Sequence, residues 1–353
     1  MKISSIYNIS TKLSSSSHEK NIQNNPNNFL FNQPFDTVNF QGSGTKALKL
    51  VKSITRLTKK EALAKGYITV NNAKELHIAL NKAPEKKYVP SVLVEEAQKV
   101  LNEPRVKIIL MNDIKLDKTV ENNWTPIETF GGELNGNGHE ITGLRINLPN
   151  ENNVGMFRSV KNAQIENLIL TDAEVIGGKN TGALVGINNY NFNNVSETRQ
   201  CLPIQNCSVE GIVIGTENVG GIVGDINNTV VKGCISKANV TGIEKVGGII
   251  GSNNYSKTFD SISKSKVTGN SRVGGLVGFN VVSRIQNCSS EGNVSGDRFI
   301  GGLVGYDYWS TLKNCKTKGT ISGKAFIGGI YGEKTEYSEI TDCISNCILT
   351  TNL

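Results

Sequence analysis

The sequence predicts an all-β solenoid: a parallel β-helix of 27-residue coils with a small helical cap region at its N-terminal side. Three observations support this prediction. A Gly-Gly pair followed by two mostly aliphatic residues and a third Gly recurs with first glycines 27 residues apart, at Gly220, Gly247, Gly274, Gly301 and Gly328. The same phase reaches back to Gly182 and Gly155, with a single 11-residue insertion before Gly220. Gly also accounts for 37 of the 353 residues, above the usual share of about 7%.

Further columns of residues keep this 27-residue phase. One is β-branched and apolar, at Val213, Val240, Val267, Val294 and Ile321. One is a small thiol or hydroxyl, at Cys207, Cys234, Ser261, Cys288 and Cys315. One is charged, at Glu210, Lys237, Lys264, Glu291 and Lys318. Side chains alternate between the two faces of a strand, and equivalent residues of successive coils stack about 4.8 Å apart. We therefore expect inward apolar and thiol ladders, an outward charge ladder, and glycines at corners that need positive φ or close backbone approach.

The other cysteines, Cys201, Cys343 and Cys347, are expected to lie outside the thiol column. No CxxC pair is present and the chain has only three His, so the spacing of a zinc site is missing. We expect no metal and no cofactor. An odd number of cysteines and the lack of an apolar leader segment favour free thiols, in the cytoplasm or after export by a route other than Sec.

The chain divides into three predicted parts. Residues 1–45 are rich in Asn and Ser and are expected to form a disordered tail, either passive or an export address. Residues 46–104 are expected to form a basic helical cap region, and 105–353 the β-helix. Within the cap region we predict a helix over 46–65 ended by Gly66, a short strand at Ile68 and Val70, a helix over 73–81, and a loop and helix over 83–104. A pair of strands over 106–117 then starts the solenoid.

Positive charge is concentrated near the N-terminus. The chain has net charge +7, and residues 1–125 carry 19 Lys and Arg against 11 Asp and Glu. The predicted helix over 46–65 presents a basic face made of Lys49, Lys52, Arg56, Lys59 and Lys60. A membrane surface is one partner for such a face, and packing against the rest of the protein is the alternative. No nucleic acid is expected as a partner, and no apolar run approaches the roughly 18 residues of a transmembrane helix.

The stretch FGGELNGNGHEITGLRI (130–146), with VGMF (154–157) and the repeated GGLVG, resembles the GLUG-repeat family. Such repeats occur in large bacterial surface proteins, including adhesin-like proteins and the non-catalytic part of IgA1-protease-type metalloproteases. The resemblance covers roughly 105–348, and it implies a right-handed parallel β-helix. It does not imply an activity. The segment over 68–116 also resembles the helix-then-first-coil entry of many β-helix proteins.

An enzymatic role is not expected. The zinc-protease signature HExxH is missing, because His139-Glu140 is not followed by a second His, and His139 is interpreted as a turn residue. Polysaccharide lyases and hydrolases on β-helices need clustered carboxylates. Asp225 and Asp307 follow corresponding Gly-Gly units but lie three coils apart, too far to act together. No catalytic residue is therefore assigned.

Aromatic residues after the Gly-Gly units form the predicted ligand-binding face. Columns there read Asp225, Ser252, Phe279, Tyr306 and Asn228, Tyr255, Val282, Trp309, with Tyr308 adjacent. The insertion adds Tyr190 and Phe192, and insertions in solenoids often map to the binding face. The predicted binding residues are Tyr255, Phe279, Tyr306, Tyr308, Trp309, Tyr190 and Phe192. Packing of these rings beneath the corner is the alternative.

Three functions remain open at the level of sequence. The favoured one is a non-enzymatic, adhesin-like binding or scaffold protein that recognises a glycan or a protein surface. The others are a carbohydrate-active β-helix enzyme and an exported bacterial effector. The C-terminal segment ITDCISNCILTTNL offers a further strand without a cap. Oligomerisation through that strand edge is therefore a further hypothesis.

Overall fold

The computed structural model describes residues 54–82, 105–188 and 202–351. These residues form a parallel β-solenoid of four sheets, and every paired strand runs parallel to its neighbours in successive coils. The chain passes in each coil from sheet one through sheets two, three and four. The predicted all-β fold of 27-residue coils is confirmed. The 27-residue period is seen in the strand registers, in which Val240 is opposite Val267 and Gly247 is opposite Gly274.

The strands of each sheet have the following bounds. Sheet one contains Tyr67–Val70, Lys107–Leu110, Glu133–Asn135, Gln164–Glu166, Pro203–Gln205, Val230–Lys232, Lys257–Phe259, Arg284–Gln286, Thr311–Lys313 and Glu339–Thr341. Sheet two contains Ile114–Lys115, Glu140–Thr142, Arg145–Asn147, Ile169–Ile176, Ser208–Ile214, Ile235–Ser236, Asn239–Thr241, Ile262–Ser263, Val267–Thr268, Ser289–Ser290, Val294–Ser295, Lys316–Gly323 and Ile344–Thr351. Sheet three contains Thr181–Gly182, Glu217–Gly220, Glu244–Gly247, Ser271–Gly274, Arg298–Gly301 and Ala325–Gly328. Sheet four contains Ile127–Phe130, Phe157–Val160, Val185–Asn188, Val223–Asn227, Ile250–Asn254, Val277–Val281, Val304–Tyr308 and Tyr331–Lys334.

The repeat glycines permit close approach of backbones between sheets three and four. A Cβ on Gly247 would lie 2.0 Å from the Ile250 carbonyl oxygen, and one on Gly278 would lie 2.4 Å from the carbonyl carbon of Lys245. Neither of these glycines has positive φ. The left-handed corner positions are instead held mostly by other residues, such as Asn287 and Trp309 at φ near +55°. The sequence predicted that the repeat glycines allow either positive φ or close backbone approach, and at these two positions the reason is close approach.

The interior is a set of stacked ladders, as predicted. The β-branched column and the thiol column are almost fully buried from Val213 to Ile321 and from Cys207 to Cys315. The outward charge column forms ion pairs between coils, with 3.2 Å between Lys237 Nζ and Glu210 Oε2. Burial of apolar side chains is the main contribution to the stability of such a fold. In a solenoid this burial occurs between neighbouring coils, because each coil contacts only its neighbours.

One prediction about the cysteines is wrong. Sheet one is in a 28-residue register in the last coil, with Thr311 opposite Glu339. This one-residue insertion places Cys343 next to Cys315, so Cys343 extends the thiol ladder and packs against the core. Cys347 is also only partly exposed. Cys201 lies outside the described residues.

The N-terminal end of the solenoid is covered by a strand and two helices. Helix α1 is Lys59–Ala64 and helix α2 is Ala73–Asn81, with the strand Tyr67–Val70 between them. Helix α2 buries Leu76 and Leu80 completely against the first coils. Its N-cap Asn72 accepts a hydrogen bond from the Glu75 backbone. The predicted strand and the helix over 73–81 are confirmed, and the segment 83–104 lies outside the described residues. Two strands do lie within 106–117, Lys107–Leu110 and Ile114–Lys115, but they belong to different sheets and do not pair with each other.

Within its described part, the predicted helix over 46–65 is confirmed over Lys59–Ala64 and is wrong over residues 54–58. Residues 54–58 are not helical, because Thr58 forms a capping box with Glu61 and helix α1 starts only at Lys59. The preceding residues are bound to a turn of the solenoid, since the Leu57 N–H donates to Asn137 Oδ1 at 2.7 Å. Gly66, with φ +77°, follows the helix as predicted.

The C-terminal edge exposes the ends of the core ladders. The strand Ile344–Thr351 pairs on one side only among the described strands, with Lys316–Gly323. Leu349 continues the β-branched column opposite Ile321, and it is 50% exposed whereas Ile321 is fully buried. Pairing of this edge with another chain stays a prediction.

Candidate functional site: an aromatic face on sheet four

The first predicted column lies on the outer side of sheet four. Ser252 is opposite both Asp225 and Phe279, and Phe279 is opposite Tyr306. Asp307 directly follows Tyr306 in the strand, so it faces the interior, where it is fully buried. Asp225 and Asp307 therefore lie on opposite sides of the sheet, in addition to being in different coils.

The second predicted column forms the corner after sheet four. Asn228, Tyr255, Val282 and Trp309 all have φ between +45° and +53°. This left-handed conformation is uncommon for residues other than Gly, and it is most unusual for a β-branched residue such as Val282. The coils impose it by stacking, because the Val282 N–H donates to the Tyr308 carbonyl of the next coil at 2.8 Å.

Three aromatic rings at the last coils form what we call the aromatic platform: Tyr308, Trp309 and Tyr337. The rings of Tyr308 and Trp309 are stacked with centroids 5.8 Å apart, and those of Trp309 and Tyr337 are 4.7 Å apart. Trp309 is 40% exposed and Tyr337 is 61% exposed. The alternative, that these rings pack beneath the corner, does not hold for the platform.

Tyr337 was not identified from the sequence. It lies in the one-residue insertion of the last coil, which breaks the 27-residue phase. The turn is fixed by a hydrogen bond from the Ser338 N–H to the Thr335 carbonyl, and the Trp309 N–H donates to Thr335 Oγ1 at 3.1 Å. These bonds hold Tyr337 beside Trp309.

A second group of side chains includes Phe279 and Tyr306, and we call it the arginine–aromatic cluster. Its other members are Arg272, Arg298, Phe299 and Phe326. The Arg272 guanidinium lies 5.6 Å from the Phe279 ring centre and 5.8 Å from that of Tyr306. The Phe299 ring packs edge-on against Tyr306 at 5.5 Å. These distances are those of cation–π and aromatic pairs.

The repeat glycines create this cluster. A Cβ on Gly305 would lie 2.4 Å from the carbonyl carbon of Arg272, so only Gly lets the sheet-four strand approach that corner. The approach places Tyr306, the next residue, beside the Arg272 side chain. Arg272, Phe299 and Phe326 were not identified from the sequence, although they share a column two residues before each Gly-Gly pair, in which the residues change from polar to aromatic along the solenoid.

The carboxylates of sheet four differ in environment. Burial raises the pKa of Asp225 to about 6, although a hydrogen bond with Ser252 and the charge of Lys245 lower it. Burial also raises the pKa of Asp307, which accepts a hydrogen bond from Asn280 Nδ2 at 2.6 Å. Asn280 in turn accepts from Asn253 at 2.6 Å, so Asp307 ends a buried amide ladder. Its position is that of a structural group rather than a group that contacts substrate.

The other predicted site residues lie elsewhere or cannot be placed. Tyr255 is exposed in the corner column, two coils before Trp309. Lys59 and Lys60 lie on helix α1, and Arg56 donates to the Gly138 carbonyl at 2.9 Å. The remaining candidates lie outside the described residues: Tyr190, Phe192, Lys49 and Lys52.

His139 lies in the turn over 136–139 as predicted. Its Nδ1 is 2.9 Å from Asp113 Oδ1, and the imidazole is almost fully buried. Among residues 54–82, 105–188 and 202–351, no three His, Cys, Asp or Glu side chains are grouped so that they could hold a metal ion. Within the same ranges, no helix has the length and apolar character needed to span a membrane.

Comparisons with known proteins agree with the repeat and the fold. A family model described as the GLUG motif matches residues 269–295. Halomucin of Haloquadratum walsbyi (strain DSM 16790 / HBSQ001) is 33% identical over 104 residues, which are 29% of this chain and 1% of that protein. The fold is similar to the crystal structure of a candidate immunoglobulin A1 protease from Bacteroides ovatus, with a TM-score of 0.52 and 18% identity over 84% of this chain and 78% of that one.

Proposed function

We propose that this chain, a parallel β-helix of GLUG-type repeats, is a non-enzymatic, adhesin-like binding module that recognises a glycan through the outer face of sheet four. The observation that carries the proposal is the aromatic platform. Trp309 contacts both Tyr308 and Tyr337, and yet the three rings stay 40% to 61% exposed. Scattered exposed apolar residues are normal, whereas a contiguous group of them marks an interaction surface.

The chemistry of the platform suits sugar rings. Indole and phenol groups present flat apolar faces together with N–H and O–H groups at their edges. The C–H faces of a sugar can pack on the ring faces while sugar hydroxyls bond to the polar edges and to water. Tyr306 and Tyr308 are two residues apart in one strand, so they point to the same side and extend the face toward the arginine–aromatic cluster.

The fold supports this role by keeping the face rigid. The platform is anchored on backbone ladders that continue through several coils, and the corner dihedrals are fixed by hydrogen bonds between coils. A preformed surface loses little conformational entropy on binding. The matches to halomucin and to the candidate immunoglobulin A1 protease are consistent with a surface protein, although this chain spans only 1% of halomucin.

The two alternatives receive less support. A carbohydrate-active enzyme needs two carboxylates at one substrate, and Asp225 faces outward whereas Asp307 is buried in the interior. The exported-effector hypothesis rests on residues 1–45, which lie outside the described residues. A protein surface is the other ligand that aromatic rings fit, and the experiment below distinguishes it from a glycan.

A glycan array tests the proposal. Labelled protein is applied to immobilised plant, bacterial and animal glycans, and the same measurement is made on Trp309→Ala. The matched control is Tyr67→Ala, which removes an aromatic ring beside Lys107 at the other end of the solenoid. We expect selective binding that Trp309→Ala weakens about tenfold or more and that Tyr67→Ala leaves unchanged. A protein that binds no glycan, or a Trp309→Ala variant that binds normally, would contradict the proposal.

A further inference from the structure

We infer that the ligand is an acidic glycan, and that the arginine–aromatic cluster is the subsite for its carboxylate or sulfate group, with Arg298 in direct contact with that group. The inference rests on the proposed function, because it assigns the chemical class of the same ligand. It is carried by the charge pattern along sheet three and by the position of the Arg298 guanidinium.

Along the solenoid, the outward column of sheet three begins with acids that have ion-pair partners and continues to an arginine that has none among the described residues. It consists of Glu217, Glu244, Ser271, Arg298 and Ala325. Glu217 is paired with Lys245 at 2.7 Å and with Lys179 at 3.0 Å, and Glu244 is paired with Arg272. Over the parts of the chain that the structure describes, Arg298 has no such partner within ion-pair distance. The one cation of this column therefore lies uncompensated beside the aromatic rings.

Two phenyl rings orient Arg298. Its guanidinium carbon lies 4.6 Å from the Phe299 ring centre and 5.2 Å from that of Phe326, and the two rings are stacked 4.9 Å apart. Arg298 and Phe326 are nevertheless exposed. A guanidinium held by its face keeps its N–H groups available at its edge, where they match the two oxygens of a carboxylate or sulfate.

The neighbouring acids set the orientation of the ligand. Asp297 is neutralised by Lys324 at 2.9 Å, whereas Glu333 is in register with Tyr306 on sheet four. A negative group is therefore repelled from the Tyr306 end and attracted to the Arg298 end. Uncharged sugar rings would continue from there over Tyr306 toward Tyr308 and Trp309, which places one ligand across both groups of aromatic residues.

The test uses ligands that differ in charge alone as far as chemistry allows. Affinities are measured for oligogalacturonate and its fully methyl-esterified form, and for 3′-sialyllactose and the methyl ester of its sialic acid. They are measured on the full chain, on Arg298→Gln and on Lys237→Gln, the last of which removes a cation of the outward charge column that is already paired with Glu210, away from the arginine–aromatic cluster. Circular dichroism confirms that each variant is folded.

We expect the acidic member of at least one pair to bind about tenfold more tightly than its neutral counterpart. Arg298→Gln should abolish that preference and keep binding of the neutral form, and Lys237→Gln should keep the preference. Equal affinities for acidic and neutral forms, or equal losses in both variants, would overturn this inference and leave the proposed function standing. Failure of every glycan here and on the array would remove both. Tight binding of polyglutamate in place of any glycan would overturn the assignment of a sugar ligand.

Discussion

Replacing Asp225 by Asn should stabilise the protein at neutral pH and not in acid. Burial raises the pKa of this carboxyl from 3.8 to about 6. Above pH 6 the group is ionised in both the folded and the unfolded state, and the folded state bears the cost of the buried charge. The difference between the two pKa values corresponds to about 3 kcal/mol. Below about pH 3.8 the carboxyl is neutral in both states and the cost disappears.

Of the two hydrogen bonds that Asn254 and Asn218 donate to Asp225, an Asn side chain keeps the shorter and loses only the 3.5 Å contact from Asn218 Nδ2 to the other oxygen. Its oxygen can accept the hydrogen bond that Asn254 Nδ2 now donates to Asp225 at 2.9 Å. We therefore expect Asp225→Asn to raise the free energy of unfolding by up to about 3 kcal/mol at about pH 7.5, and by close to zero at about pH 3.5. Urea denaturation of both proteins at the two pH values measures this difference.

A control separates this effect from a general change in charge. Asp297→Asn removes an exposed carboxylate paired with Lys324, and we expect it to change the stability by less than about 1 kcal/mol at either pH. A gain in stability from Asp225→Asn that is the same at both pH values would show that the ionised carboxylate of Asp225 is not the destabilising group. The absence of any gain at neutral pH would show that Asp225 is not desolvated in the folded protein.

Three further predictions concern the fold. Gly274→Ala should destabilise the protein by about 3 kcal/mol or more in urea denaturation, because the added Cβ would lie 1.9 Å from the Val277 carbonyl oxygen; near-normal stability would contradict the packing of sheets three and four. Burial raises the pKa of Cys207, so the four buried thiols of the ladder should resist Ellman's reagent in the native state while Cys347 reacts, as mass spectrometry would show. Asn72→Ala should cost about 1 kcal/mol in thermal or urea unfolding through loss of the N-cap, and no loss would count against the cap.

The solenoid could be predicted from the sequence because its interactions repeat. A single phase of 27 residues determines which columns are inward, and registers such as Val267 opposite Val294 follow directly. Prediction failed where this phase is broken. The one-residue insertion in the last coil moved Cys343 into the thiol ladder and brought Tyr337 beside Trp309, and neither placement is encoded in the 27-residue spacing.

The periodicity of apolar residues also predicted the secondary structure incorrectly in part of the segment that packs against the solenoid. Leu50, Ile54 and Leu57 have helical spacing, yet Leu57 is not helical because Asn137 binds its backbone across 80 residues of sequence. The residues of the proposed binding face could be identified from the sequence only in part, for a related reason. The outward residues of sheet four were identified from one column, whereas Arg298 and Phe326 belong to sheet three and meet that column only through the close approach of the two sheets.

The fluorescence of Trp309 directly reports whether a glycan binds at the aromatic platform. The chain has two Trp residues, and Trp124 is buried near the N-terminal cap, where its Nε1 donates to the Met156 carbonyl at 3.0 Å. Trp124→Phe therefore leaves one indole as a reporter on the aromatic platform. Titration with the glycan selected by the array should shift or quench this emission, with a saturation curve that matches the binding curve. Saturable binding of that glycan without any change in Trp309 emission would place the ligand elsewhere and contradict the central claim.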